Sequence, residues 1–218
     1  MKLLVDNDLL HKLLAFDLLR ETLDRLGASE SDIRILDTAR FKFCLGNAEK
    51  GRKRYGDVFD KLAETIPRLN VAGAGQPETR DRLTGHVDLD AGEVILLAEA
   101  IEDPESFFLT GDKRCIRALN SKPDLAEVCD TLKRRIWCLE ALVGHLIDHC
   151  GFETVRARIV PNRQRDRTMQ SVFGSGDRAT LSAVHEALTH YVDDLRKESG
   201  SLLAGLPIPP PVAPPGPR

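Results

Sequence analysis

The chain reads as an α/β protein, a three-layer α/β/α arrangement around a central parallel sheet with a C-terminal helical extension. Three observations predict this. Short apolar runs of strand length alternate with longer stretches whose apolar residues recur at helical spacing, and most of the short runs are apolar at adjacent positions rather than at every second residue. Acidic residues also follow two of the short runs within a few positions. Runs without polar alternation suit strands buried on both faces, as in a parallel sheet covered by crossover helices.

The first run, Leu3-Leu4-Val5, ends in Asp6-Asn7-Asp8 and is followed at helical spacing by Leu9, Leu10, Leu13 and Leu14. That is a buried strand feeding a helix. Leu18, Leu19, Leu23 and Leu26 continue the helical stripe until Gly27, placed as a C′ glycine. Ile33, Ile35 and Leu36 form a second strand, and Asp37-Thr38 caps a helix from Ala39. A helix spans 57–66, and Pro67 with Gly73-Ala74-Gly75-Gln76-Pro77 marks a loop. Val87-Asp88-Leu89 reads as a brief extended piece before a helix over 91–101 that is apolar on most sides and therefore buried. Then come a strand at 107–110, a helix at 113–119 and a last strand at 136–139.

Beyond Leu139 the pattern is helical over 142–150, 152–159 and 178–197. The expected organisation is a main domain over 1–143, a helical extension over 144–200 and a disordered tail over 201–218. Residues 206–218 hold most of the chain's 12 prolines and cannot build a core.

Composition narrows the function. The chain has 218 residues, 42% hydrophobic and 30% charged, which is ordinary for a globular protein. Its 31 basic and 34 acidic residues give a formal charge of −3, so any nucleic-acid contact is regional. Five cysteines without a C-x-x-C pair indicate neither a zinc cluster nor a disulfide framework. No apolar run approaches the roughly 18 residues of a membrane helix, and the expected compartment is the cytoplasm.

The carboxylates carry the chemistry. In an open parallel sheet, sites form beyond the carboxyl ends of the strands, where the strand order reverses. Asp6 and Asp8 follow the first strand, Asp112 follows the strand at 107–110, and Glu93 with Asp90 opens the buried helix. Grouped carboxylates repel one another, and a hard divalent cation such as Mg²⁺ or Mn²⁺ resolves that conflict with oxygen ligands. The same cation suits phosphodiester hydrolysis. The structural alternative is helix capping: Asp8, Asp90 and Asp112 all precede helices, and Asp90 with Glu93 matches a capping box.

The stretches Leu3-Leu4-Val5-Asp6-Asn7-Asp8-Leu9-Leu10, Asp90-Ala91-Gly92-Glu93-Val94-Ile95-Leu96-Leu97-Ala98-Glu99-Ala100 and Phe108-Leu109-Thr110-Gly111-Asp112-Lys113-Arg114 resemble, in order and spacing, the three motifs of PIN domains (PilT N-terminus nucleases). The resemblance covers roughly residues 1–143. It implies a doubly wound, Rossmann-type sheet, Mg²⁺ or Mn²⁺ binding and endoribonuclease activity. Carried over, it makes Asp6, Glu93 and Asp112 the catalytic metal ligands, with Asp8 or Asp90 supporting a water. The family also includes toxins held by antitoxin inhibitors, so the expected partners are RNA, an inhibitory or other protein partner, or a second copy of the chain, and no membrane. Two positions depart from the pattern. The helix after the second strand reads Thr38-Ala39-Arg40-Phe41-Lys42-Phe43, without the usual acid, and Lys113-Arg114-Cys115 follows Asp112 where a second aspartate is common.

Two rival readings stand beside this one. The missing middle carboxylate fits a catalytically degenerate PIN-like module that binds nucleic acid or protein. Val5-Asp6-Asn7-Asp8 also resembles the opening aspartate pair of haloacid dehalogenase phosphatases, but Leu9-Leu10 stands where that family has glycine and threonine. For RNA contact the candidates are Lys50, Arg52, Lys53 and Arg54, with Tyr55 as a stacking face, and Lys113 or Arg114 beside the site. Lys133-Arg134-Arg135 and the arginines between 156 and 167 are read as solvated surface. His145 and His149, one helical turn apart, lack a third ligand and are read as an exposed helix face.

Overall fold

The computed structural model describes residues 1–85 and 88–205. Strand β1 (Lys2–Val5) leads into α1 (Asn7–Ala15) and α2 (Leu19–Leu26), and β2 (Ile33–Ile35) into α3 (Ala39–Lys42), α4 (Ala48–Tyr55) and α5 (Val58–Thr65). Strand β3 (Asn70–Val71) leads into α6 (Pro77–Thr84) and α7 (Ala91–Glu102), and β4 (Ser106–Thr110) into α8 (Lys113–Ser121) and α9 (Ala126–Thr131). Strand β5 (Ile136–Cys138) runs straight into α10 (Leu139–Cys150), followed by α11 (Phe152–Ile159), α12 (Arg167–Val172) and α13 (Leu181–Ser199).

The five strands form one parallel sheet in the order β3-β2-β1-β4-β5. Successive strand residues point to opposite faces. Leu3, Leu4 and Val5 of β1 and all three residues of β5 are buried, so both faces of the sheet are covered. That matches the expected α/β class and is compatible with three layers. The chain winds outward from β1 to β2 and β3, then returns to place β4 on the other side of β1. The order therefore reverses between β1 and β4, whose register sets Val5 against Leu109.

Several expectations are corrected. Strand β3 lies in the stretch read as loop; it is two exposed residues long, too short to leave an apolar signature. Asp88 and Leu89 form a turn, not an extended piece, and Val87 lies outside the described residues. Helix α10 begins at Leu139 and crosses the expected boundary at residue 143. Met169, Phe173, Val184, Leu188 and Val192 of the extension join the same hydrophobic cluster as the strands.

Residues 201–205 are also not a disordered tail. Leu202 O accepts from Ile136 N at 3.0 Å and Ala204 N donates to Ile136 O at 2.8 Å, so this segment pairs with the outer edge of β5. Burying Leu202 and Leu203 drives the docking, at about 1.5–3 kcal/mol per leucine. Residues 206–218 lie outside the described part. His145 is not on an exposed face either. It is buried, with Nε2 2.6 Å from Gly205 O and Nδ1 2.8 Å from Arg25 Nη2, whereas His149 is exposed.

Candidate active site

The reversal between β1 and β4 gathers carboxylates from three separate parts of the chain. Asp6 is the first residue beyond β1, and its amide donates to Leu109 O across the β1/β4 boundary at 2.9 Å. Its carboxylate accepts from Asp8 N at 3.2 Å, which makes Asp6, not Asp8, the cap of α1. Capping and proximity to the site thus fall on the same side chain. The buried Thr110 links the two strand ends: its hydroxyl donates to Asp6 Oδ2 at 3.4 Å and accepts from Asp112 N at 2.9 Å.

Asp112 caps α8, accepting from Arg114 N at 2.8 Å, and its Oδ2 lies 2.7 Å from Arg114 Nη2. That guanidinium holds the Asp112 carboxyl below its usual range. Glu93 comes from α7 and completes the expected capping box: Asp90 N donates to Glu93 Oε2, and Glu93 N to Asp90 Oδ1, both at 2.8 Å. Gly92 lets α7 come this close, since a Cβ there would fall 2.6 Å from Leu36 Cδ1 at the end of β2. Likewise, a Cβ at Gly111 would stand 3.1 Å from both Asp8 Oδ2 and Lys12 Nζ.

Electrostatics set Glu93 apart. Burial pushes its carboxyl up to about 7; the Asp90 amide opposes the rise, and the charges of Asp90, Asp112 and Asp6 add to it. Burial also raises Asp6, against the Asp8 amide and the positive charge of Lys42. The Cys115 thiol lies within reach of the same charges and is raised first by burial, then by Glu93, Asp112 and Asp6. Glu93 therefore feels the charges of three aspartates in a partly dry site, the arrangement expected to perturb its titration at a functional site.

A cleft of 350 Å³ opens here, lined by Asp6, Asn7, Leu36, Thr38, Lys42, Asp90, Ala91, Gly92 and Glu93. Asp112 is not among the lining residues. Among the described residues, no group of three or more His, Cys, Asp and Glu side chains is disposed to hold a metal ion. The donor chemistry nevertheless fits a hard cation. Asp6 and Glu93 offer carboxylate oxygens, and Asn7, 2% exposed, has an Oδ1 without a hydrogen-bond partner. The chain matches no family model, no curated protein and no solved structure. The functional reading accordingly rests on the fold and on this chemistry.

The remaining candidates divide. Lys50, Arg52, Lys53 and Arg54 are exposed on α4, Arg52 pairing with Asp60 at 2.8 Å. Tyr55 does not offer a stacking face. It is buried against His11 and Phe43, and its hydroxyl donates to Lys42 O at 2.7 Å. Lys113 turns inward to Glu140 Oε1 at 2.6 Å and Thr168 Oγ1 at 2.9 Å, so of the pair beside Asp112 only Arg114 faces solvent. Asp8 is engaged by Lys12, which also holds Asp166 at 2.8 Å. Arg135, read as surface, is buried and donates to the carbonyls of Ala100, Asp103 and Ser106.

Sequence reasoning missed Thr110, Asn7, Lys12 and Asp166. Lys12 carried a signal, the i,i+4 spacing from Asp8. Asp166 carried none, because only the tertiary fold brings α12 to α1.

Proposed function

We propose that this chain is a metal-dependent endoribonuclease of the PIN-like class, acting at the β1/β4 reversal. The observation that supports it most is the meeting of Asp6, Asp90, Glu93 and Asp112 at that point, with the Glu93 carboxyl raised to about 7. Buried like charges cost stability unless something positive shares the site. Asp6, Glu93 and Asp112 would hold Mg²⁺ or Mn²⁺, and Asn7 and Asp90 add neutral and charged oxygens beside them. Such a cation, when bound, supplies positive charge against phosphodiester oxygens and acidifies water.

The chain's own residues do the rest. Thr110 and the Asp8 amide orient the Asp6 carboxylate. Glu93, its carboxyl raised to about 7, would ionise more readily with positive charge in the cleft. Asp112 is paired with Arg114, and a cation held by Asp112 would compete with that guanidinium, which lies exposed where it could face a substrate phosphate. The exposed cations of α4 steer the backbone of the RNA toward the cleft.

A second reading has an observation of its own. Arg114 already compensates Asp112, and Lys42 lines the cleft with Asp6 and Glu93, so internal cations stand where an ion would act. That favours a PIN-like module which binds without cutting. The two readings separate on a single-stranded RNA pool with Mn²⁺. The nuclease reading expects cleavage by the wild type and none by Asp6→Asn, whereas intact RNA with the wild type favours the binding module.

A further inference from the structure

Phe41 is 68% exposed, the most exposed of the large hydrophobic side chains among the described residues, and it lies on the four-residue helix α3. An apolar ring left in water gains nothing for the fold. Its neighbours give it a context. Arg40 lies over the ring, its Cζ 4.7 Å from the centroid, and Lys42 lines the acidic cleft. Successive helical residues diverge by about 100°, so Phe41, next to Lys42 in the chain, points away from it; Lys42 lines the cleft and Phe41 does not.

The cations near the cleft are not equivalent. Lys12, Lys113 and Arg114 are held by carboxylates, whereas Lys42 makes no ion pair among the described residues. Helix α4 is fastened to α3 by the Tyr55 hydroxyl on Lys42 O and by the Phe43 and Tyr55 rings, 5.3 Å apart. Between positions 38 and 56 the chain carries six basic residues and one acidic one, against −3 for the whole chain. An exposed ring set in a basic surface is the construction that binds single strands, the ring stacking on a base and the cations tracking the phosphates.

We infer that α3 and α4 form a docking edge for single-stranded RNA, on which Phe41 stacks an unpaired base while Lys42 holds the adjoining phosphate at the mouth of the cleft. This rests on the nuclease reading of the cleft and specifies its substrate as unpaired. A duplex keeps its bases stacked on one another and offers Phe41 no free face.

The test is fluorescence anisotropy of a short labelled single-stranded RNA, alone and annealed to its complement, in EDTA so that no cleavage intervenes. Phe41→Ala and Phe41→Leu both weaken single-strand binding roughly tenfold and leave duplex binding unchanged, because leucine restores the apolar contact without the π face. Lys42→Ala lowers the salt dependence of single-strand binding by about 0.7 in the log–log slope, the signature of one lost phosphate contact. Single-strand affinity unchanged in both Phe41 variants overturns the inference, and so does an equal loss on single strand and duplex. If the wild type cuts RNA while the Phe41 variants bind as it does, the nuclease reading stands and this one falls. If the wild type binds no RNA, both fall.

Discussion

Glu93 is asked to do two things at once, to cap α7 and to sit among like charges. Its ordinary value is 4.5, and in the folded chain it is raised to about 7, chiefly by burial. The folded state therefore holds the proton more tightly than the unfolded chain, so this group's contribution to stability is largest below pH 4.5 and falls as pH rises through 7. At about 1.4 kcal/mol per pH unit between 4.5 and 7, the loss is about 3.5 kcal/mol in full and smaller where solvent screens the site. Glu93→Gln keeps an acceptor for the Asp90 amide and cannot ionise. Urea unfolding is expected to find the variant equal to the wild type at pH 4 and more stable at pH 8, with saturating Mn²⁺ closing the gap by stabilising the wild type. Parallel stability curves for the two proteins would show that Glu93 feels no strain. At the same scale, the position of two aspartates just after β1 was legible, but which of them capped α1 was not. Both Asp6 and Asp8 precede an apolar helix, and the extended backbone at Asp6, φ −61° and ψ 141°, decides it.

Among the elements, four of the five strands were legible because most of their residues are buried and apolar, with Arg34 the interruption in β2. Strand β3 was not, since neither of its residues is buried. Helices α6, α9 and α12 were missed as well; α6 buries only Leu83, α9 only Val128, and α12 is six residues long, too short to show a period. The contact between α1 and α12 was illegible for a different reason, being a charge pairing between distant segments. Lys12 is 8% exposed and bridges Asp8 to Asp166. Burial opposes its charge, but the bonds to Asp166 and Asp8 outweigh that and raise it. Lys12→Met leaves two carboxylates facing each other without their cation, and the expected cost is about 3 kcal/mol at pH 7. Asp166 is held below its usual value despite burial, chiefly by Lys12, so its share of this stability is lost as pH falls through the carboxylate range, and the penalty of the substitution shrinks with it. A loss under roughly 0.5 kcal/mol at pH 7 would mean that the bridge is no more than a surface pairing.

At the scale of the whole molecule, the sheet and the C-terminal helices share one core, which the division into a domain and an extension did not anticipate. Helix α13 packs on α8 and α10, and 201–205 lines the edge of β5. A chain ended at residue 143 cuts α10 and is expected to stay unfolded by circular dichroism. One ended at residue 200 folds with roughly 3–6 kcal/mol less stability, from losing the burial of Leu202 and Leu203. Independent folding of 1–143 would restore the two-part organisation. That single core also holds β1, β4 and α7 in the relation that brings Asp6, Asp112 and Glu93 together. The most direct measurement of their purpose is a calorimetric titration of Mn²⁺ into the wild type and into Asp6→Asn. The nuclease account predicts saturable binding with proton release near pH 7 in the wild type and its loss in the variant. No binding by the wild type at millimolar Mn²⁺ would contradict it and leave the carboxylates as helix caps.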